Sequence, residues 1–338
     1  MEAEIKAANI PLFSLESKRP VKDFDVVGIT LPYEAIYTNV LNALALAGMP
    51  LFSNERTEHD PLVIAGGHAA FNPEPMSSFF DAFVIGEGED VMQEVLAVYQ
   101  TWKRSGETRD KLLLDLAGLT GVYVPSLYDV QYHENGAIRS IKPLDERVPE
   151  IIKKRIVPIL PDPITQFIVP NVEIVHERVS IEIMRGCTRG CRFCHAGMVN
   201  RPVRERPVAE IITAMREGLK ATGYEQVGLL SLSSSDHTRI LEVAKQCYAA
   251  FKEDRVQVNL PSLRIESLSV DLMDELKELK PAGGFTLAPE AATARMRGII
   301  NKPLDEDILL ETAKTVFEHG WQSLKLYFMI GLPQEEME

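Results

Sequence analysis

Short, unbroken apolar runs alternate in this sequence with stretches where apolar residues return every three or four positions. Val26 to Thr30, Leu62 to Ala65 and Ala82 to Ile85 are runs of the first kind. Each is rich in Val, Ile or Ala, as parallel strands covered on both faces are. Between them, Ile36, Val40, Leu41, Leu44 and Leu46 mark one face of a helix that stops at Gly48, and Val91, Val95, Leu96 and Tyr99 mark another. This alternation predicts an open α/β sheet. The loops Gly66-Gly67-His68 and Gly86-Glu87-Gly88-Glu89 follow strands, where such sheets hold ligands.

From about Gly121 to Pro170 the texture changes. Tyr123 to Ile141 reads as a hairpin turning at Asn135-Gly136, and Pro143, Pro149, Pro158, Pro161 and Pro163 follow in a connecting stretch. From Val179 the alternation returns. Strands are predicted at Ile181 to Met184, Gln226 to Leu232, Val256 to Leu260, Gly284 to Leu287 and Leu324 to Ile330. Helical patterns separate them at Val208 to Ala221, Ile240 to Phe251, Val270 to Leu279 and Leu304 to His319. The sequence ends after the fifth strand, at Gly331-Leu332-Pro333, and shows no fixed-period repeat. The domain organisation expected is a partial α/β domain over 1–120, a hairpin and proline-rich connector over 121–172, and a second βα domain over 173–338.

A length of 338 residues suits two domains, and 45% hydrophobic with 25% charged residues is ordinary for a water-soluble chain. The net charge of −13 argues against a general nucleic-acid binder. No secretory signal opens the chain and no apolar run is long enough to span a bilayer, so the expected compartment is the cytoplasm, with no membrane partner.

Cysteine usage changes the picture most. Of four cysteines, three fall in Arg185-Gly-Cys187-Thr-Arg-Gly-Cys191-Arg-Phe-Cys194-His195, directly after a predicted strand. Such tight clustering in a cytosolic chain argues for metal rather than disulfides. The spacing admits a 4Fe–4S cluster held by three thiolates with one iron left open. It also admits a Cys₃His zinc site using His195, a C-x-x-C-H haem attachment over Cys191 to His195, or three incidental cysteines. Zinc suffers because His195 adjoins Cys194, and haem because Cys187 is left without a role. Cys247 lies alone on a helical stretch and is read as a small hydrophobe.

Cys187-x₃-Cys191-x₂-Cys194, with Phe193 before the last cysteine, resembles the signature of the radical S-adenosylmethionine (SAM) superfamily. The text around it, "RGCTRGCRFCHAGMVNRPVRERP", is similar to a branch with an N-terminal cobalamin-binding-like domain, as are "GGHAAFNPEP" and "FFDAFVIGEGED" upstream. The resemblance implies a partial Rossmann-like domain followed by an incomplete (β/α)6 barrel. It implies a cluster on Cys187, Cys191 and Cys194 whose free iron binds SAM, reductive cleavage to a 5′-deoxyadenosyl radical, and hydrogen abstraction, methyl transfer or sulfur transfer on an unknown substrate. Phe193 would pack near the adenine. Ser233, Ser234 and Ser235 stand where the family often has a glycine-rich acidic motif for the SAM amino group, a departure from the pattern. Ser262 and Arg264 would hold ribose and carboxylate, Glu290 ribose or amino group, and Ile330 and Gly331 the adenine.

A reductant of flavodoxin or ferredoxin type is the partner such chemistry implies. Arg185, Arg189, Arg192, Arg201, Arg204 and Arg206 crowd one segment of an acidic chain and are expected to offset the cluster's charge or to meet an anionic substrate, RNA included. Cobalamin is expected to bind poorly or not at all: no Asp-x-His-x-x-Gly motif is present, and His68 is a lone loop histidine. The rival readings are a non-catalytic iron–sulfur or zinc module, and an inactive fragment of a larger radical SAM protein.

Overall fold

In the computed structural model the chain forms two compact units, Met1–Val157 and Pro158–Glu338. The structure describes every residue except Met1, Glu173, Pro261, Ser262, Leu268, Ser269, 280–283, Met337 and Glu338.

The first unit runs α1 (Glu2–Ala7), β1 (Val26–Thr30), α2 (Tyr37–Leu46), β2 (Leu62–Gly66), β3 (Ala82–Val84), α3 (Gly88–Ser105), α4 (Arg109–Ala117), β4 (Val122–Tyr123), β5 (Tyr128–Tyr132) and β6 (Ile138–Pro143). Its sheet has the order β1-β2-β3-β4, with the first three strands parallel and β4 antiparallel to β3. The apolar runs are the strands, as their pattern predicts: Leu62, Val63, Ile64 and Ala65 are all buried. α3 buries Val91, Val95, Tyr99 and Trp102 along one stripe. It carries Glu89 and Asp90 in its first turn and Lys103 and Arg104 in its last, matching the helix dipole at both ends.

Tyr123 does not open the predicted hairpin. It sits opposite Phe83 as the sheet's fourth strand, because Val122, Tyr123 and Val124 form one more buried run. The hairpin proper is β5 with β6, with Val130 opposite Ile141.

Asp81, just before β3, is buried between two buried arginines. Its Oδ2 accepts from Val63 N–H at 2.7 Å, Arg56 Nη1 at 3.2 Å and Arg109 Nη2 at 2.9 Å. Arg56 also donates to the carbonyls of Pro50, Leu51 and Phe79, and Arg109 to those of Thr57, Asp60 and Pro61. Burial pulls the Arg56 guanidinium below its usual range; Asp81 pushes it back up, and the like charge of Arg109 lowers it.

The second unit runs β7 (Val179–Glu182), β8 (Met184–Arg185), α5 (Ala196–Val199), β9 (Arg204–Glu205), α6 (Val208–Thr222), β10 (Gln226–Leu230), α7 (Ile240–Phe251), β11 (Gln257–Asn259), α8 (Val270–Leu279), β12 (Gly284–Glu290), α9 (Ala294–Ile299), α10 (Glu306–Glu318) and β13 (Ser323–Phe328). β10 lies between β7 and β11, all parallel, and β12 pairs in parallel with β13. Helices separate successive parallel strands, so the strand ends that precede each helix share one end of the sheet. Ile181, Leu229, Ile211, Met215, Val243 and Val258 are buried in one core. Among the described residues no ladder closes these strands into a full barrel. The fold is therefore α/β, a Rossmann-like unit followed by a partial βα barrel. Among the described residues no helix is long and apolar enough to cross a membrane.

Candidate functional site

The chain leaves β7 and enters the cysteine loop through a small clip. Met184 pairs with Glu205 and Arg185 with Arg204, antiparallel, so β8 and β9 close the loop at its base. At the start of the loop Gly186 takes φ +84°, and a Cβ there would lie 2.5 Å from the Pro202 carbonyl oxygen and 2.7 Å from that of Asn200. Only glycine fits such a left-handed, crowded position.

Cys187 and Cys191 are buried and Cys194 is half-buried, one residue before His195 and the short α5. Each sulfur has a donor. Arg189 N–H points at Cys187 Sγ (3.4 Å), Gly197 N–H at Cys194 Sγ (3.3 Å), and Arg264 Nη1 at Cys191 Sγ (3.8 Å). Sulfur ligands of iron–sulfur clusters take N–H hydrogen bonds of this kind.

Three further ties fix the loop to its surroundings. Arg189 forks onto Asp236 at 3.0 and 2.6 Å. Asn301 Nδ2 donates to the Gly190 carbonyl at 2.8 Å. Arg192 N–H donates to the Ile300 carbonyl at 2.9 Å, and its guanidinium to that of Ile299. Asp236 follows β10, so the loop is anchored to the neighbouring strand's end. Burial alone would raise the Asp236 carboxyl; hydrogen bonds from Arg189 and Ser233, with the guanidinium's charge, outweigh it and hold the group below the usual carboxylate range.

The residues singled out from the sequence fall as follows. Ser233, Ser234 and Ser235 are buried in a tight turn after β10. Ser233 Oγ donates to Asp236 at 2.7 Å, Ser234 Oγ bonds Ser231 Oγ at 2.8 Å, and Ser235 Oγ accepts the Arg264 N–H at 2.8 Å and bonds Ser267 Oγ at 2.8 Å. Arg264 thus meets the cysteine loop through Cys191. Ser262 lies outside the described residues. Phe193 is 42% exposed beside Cys194. Glu290 stands in a left-handed conformation (φ +69°) at a register shift in β12 and pairs with Lys302 Nζ at 3.0 Å. Ile330 is 91% exposed, and the Gly331 N–H donates to Glu335. Sequence reasoning missed Asp236, Asn301 and Lys302. Asp236 stands just past a serine run that occupies the motif position, and no motif marks an asparagine far along the chain.

The arginine-rich segment is largely a set of clamps. Arg201 donates to the carbonyls of Cys187 and Arg189, Arg204 to those of Pro202 and Asn200, and buried Arg206 to those of Glu182 and Pro161. Arg185 forks onto Glu182. A guanidinium is suited to this work because its five donors lie in one rigid plane.

Cys247 is buried on α7 with its Sγ 3.6 Å from Met215 Sδ, and burial pushes its thiol up to about 12. A thiol so reluctant to ionise is a poor metal ligand. Cys247→Ala is therefore expected to bind as much iron as the unchanged chain after anaerobic reconstitution, measured by iron and sulfide analysis.

Among the described residues no three His, Cys, Asp or Glu side chains meet closely enough to hold one metal ion. A cubane cluster asks for something else: one thiolate at each of three irons, so its ligands stand apart. Three separate thiols in a clipped loop, each with its own N–H donor, fit that requirement.

In the first unit the glycine loops serve the chain's own packing. Gly86 has φ +115°, and a Cβ there would lie 2.2 Å from the Arg155 carbonyl oxygen. Arg155 N–H donates to Ile85, Glu87 N–H donates back to Arg155, and Arg155 pairs with Glu94. The chain itself thus adds Arg155 alongside the end of β3, as a parallel bridge partner of Gly86.

Comparison with known proteins agrees with this geometry. The family model of N-terminal domains of radical SAM proteins matches residues 1–125, and that of the radical SAM superfamily matches residues 181–338. An uncharacterised protein of Methanocaldococcus jannaschii is 29% identical over 336 residues, which cover 98% of this chain and 64% of that protein. The structure of the radical SAM methyltransferase TsrM from Kitasatospora setae, with cobalamin and a [4Fe–4S] cluster bound, superposes with TM-score 0.60 at 12% identity, over 93% of this chain and 60% of TsrM. The cobalamin-dependent SAM radical enzyme OxsB, with aqua-cobalamin and SAM bound, gives TM-score 0.57 at 14% identity, over 91% of this chain and 41% of OxsB. The chain thus spans under two thirds of each of these proteins. With one radical SAM model on each unit and a three-cysteine loop after the first barrel strand, the chain belongs to the radical SAM superfamily.

Proposed function

We propose that this chain carries the catalytic core of a radical SAM enzyme, with Cys187, Cys191 and Cys194 each holding one iron of a 4Fe–4S cluster and the fourth iron open to the amino and carboxylate groups of SAM. The observation that carries this reading is the loop itself: three thiols, each with an N–H donor, held where strand β7 delivers them. Bound there, the cluster would supply one electron to the SAM sulfonium, releasing methionine and a 5′-deoxyadenosyl radical.

The chain's own part is binding and orientation. Phe193 offers an exposed ring beside Cys194 for the adenine, and Ile330 and Gly331 offer a second apolar edge. The turn Ser233, Ser234 and Ser235 acts through Asp236, whose carboxylate, kept ionised by Arg189, holds the loop and would be offered to the SAM amino group. Glu290, neutralised by Lys302, is offered to the ribose, with Ser262 as a further contact. The product is a methylated, thiolated or dehydrogenated substrate; the methyltransferase TsrM makes methyl transfer a natural first assay. The electron comes from a flavodoxin or ferredoxin type of protein. Arg192 and Arg201 are exposed beside the loop, where an anionic substrate, RNA included, would approach. The cytoplasm is the compartment that keeps three neighbouring thiols reduced. No step is assigned to cobalamin.

Reconstitution with iron and sulfide without air is expected to give a brown protein with about four irons per chain. Dithionite and SAM should then yield 5′-deoxyadenosine, read by chromatography. Cys191→Ala is expected to lose both the cluster and the product; a full cluster in that variant would overturn the ligand assignment.

A further inference from the structure

The three sulfurs of the loop are not equivalent. Cys187 and Cys194 face neutral amide N–H groups of the loop itself, at 3.4 and 3.3 Å. Among the described contacts Cys191 faces a cation, Arg264 Nη1 at 3.8 Å, and that cation arrives from beyond β11, distant in sequence. Its backbone is fixed at both ends of a short relay: Ser235 Oγ accepts the Arg264 N–H, and Ser235 Oγ bonds Ser267 Oγ.

We infer that Arg264 is a positioning residue for the cluster, holding the Cys191 sulfur and raising the reduction potential of the iron–sulfur centre. The inference rests on the proposed function, since it needs the cluster on these cysteines. In the reduction step one electron passes from a low-potential donor to the oxidised 4Fe–4S core; no bond breaks, and the core with its thiolates gains one negative charge. A guanidinium hydrogen-bonded to a ligand sulfur stabilises the more negative state more than the less negative one. Neutral amide donors act in the same direction but carry no net charge. Arg264 therefore favours the reduced cluster through the Cys191 sulfur. In this role the guanidinium is engaged with sulfur and is not the group that carries the SAM carboxylate.

The test is an anaerobic redox titration, without SAM, of the reconstituted protein, with the reduced cluster read by electron paramagnetic resonance. Arg264→Gln is expected to disfavour reduction by about tenfold, a downward shift of about 59 mV for one electron. Arg264→Lys, which keeps the charge but not the fork, is expected to recover part of that shift and guards against a fold lost in the first variant. An unchanged potential in both variants with full iron content, accompanied by weaker SAM binding in equilibrium dialysis, would overturn the inference and return Arg264 to the SAM carboxylate. Absence of a cluster in the unchanged protein would instead overturn the proposed function, and this inference with it. The two failures are thus told apart by iron analysis of the unchanged chain.

Discussion

Replacing Asp81 with alanine is expected to destabilise the N-terminal unit by about 3–5 kcal/mol, the cost of breaking a buried ion pair from one side. The side chain is 1% exposed and faces two guanidinium groups that are also buried. Its removal leaves two cations close together without a counterion and orphans the Val63 N–H at the same time. Asp81→Asn keeps the shape but not the charge, so it should recover only the hydrogen-bond part of the loss. Tryptophan fluorescence can follow this, because the chain has two tryptophans, Trp102 in the first unit and Trp321 in the second. With Trp321→Phe as background, urea unfolding reports the first unit alone. A midpoint unmoved by Asp81→Ala would show that the arginines are satisfied by their six backbone carbonyls without the carboxylate.

Gly186→Ala is expected to have the largest effect on the metal centre of any change that leaves every cysteine in place. The added methyl would lie 2.5 Å from one carbonyl oxygen and 2.7 Å from another, both backbone atoms of the segment that leads into β9, and alanine resists φ near +84°. Neither obstacle yields to a side-chain rotation. The clip between β8 and β9 must open, and the residue next in sequence is Cys187. Iron bound on anaerobic reconstitution should fall to less than half of the unchanged protein's, while far-ultraviolet circular dichroism stays near normal because the helices do not depend on this loop. Gly223→Ala, at another left-handed glycine but with nothing near its Cβ, is the control: it should cost about 1 kcal/mol and no iron.

Most of the framework is legible because buried parallel strands and amphipathic helices each write a distinct period. Val26 to Thr30 and Ile240 to Phe251 could be bounded to the residue. The elements that escaped reading lack such a period. β8 and β9 are two residues each, too short for any pattern, yet they shape the cysteine loop. α4 begins with Arg109, a charged residue that in the fold is buried against Asp81, so its inward face is not apolar from the first turn. Tyr123, which its pattern joins to the hairpin, departs for another reason: a short apolar run pairs with whichever strand lies nearest in space, here β3.

The site divides in the same way. The three cysteines announce themselves by spacing. Their supporting partners do not, because Asp236 and Asn301 reach the loop only through the fold, and Arg264, marked by the resemblance as a SAM contact, meets Cys191 only there. The arginine-rich stretch shows the limit of reading charge from sequence alone: a cluster that looks like a surface for anions spends many of its donors on carbonyls of its own loop and of β7.

That loop is closed at its base and bolted at its crown by groups of the polypeptide alone. Where a small metal domain owes its order to the ion, loading and folding are one event, and removal of the ion unravels the chain. Here the receptacle has its own supports. The order of the loop therefore draws on the chain's own hydrogen bonds as well as on any group it holds.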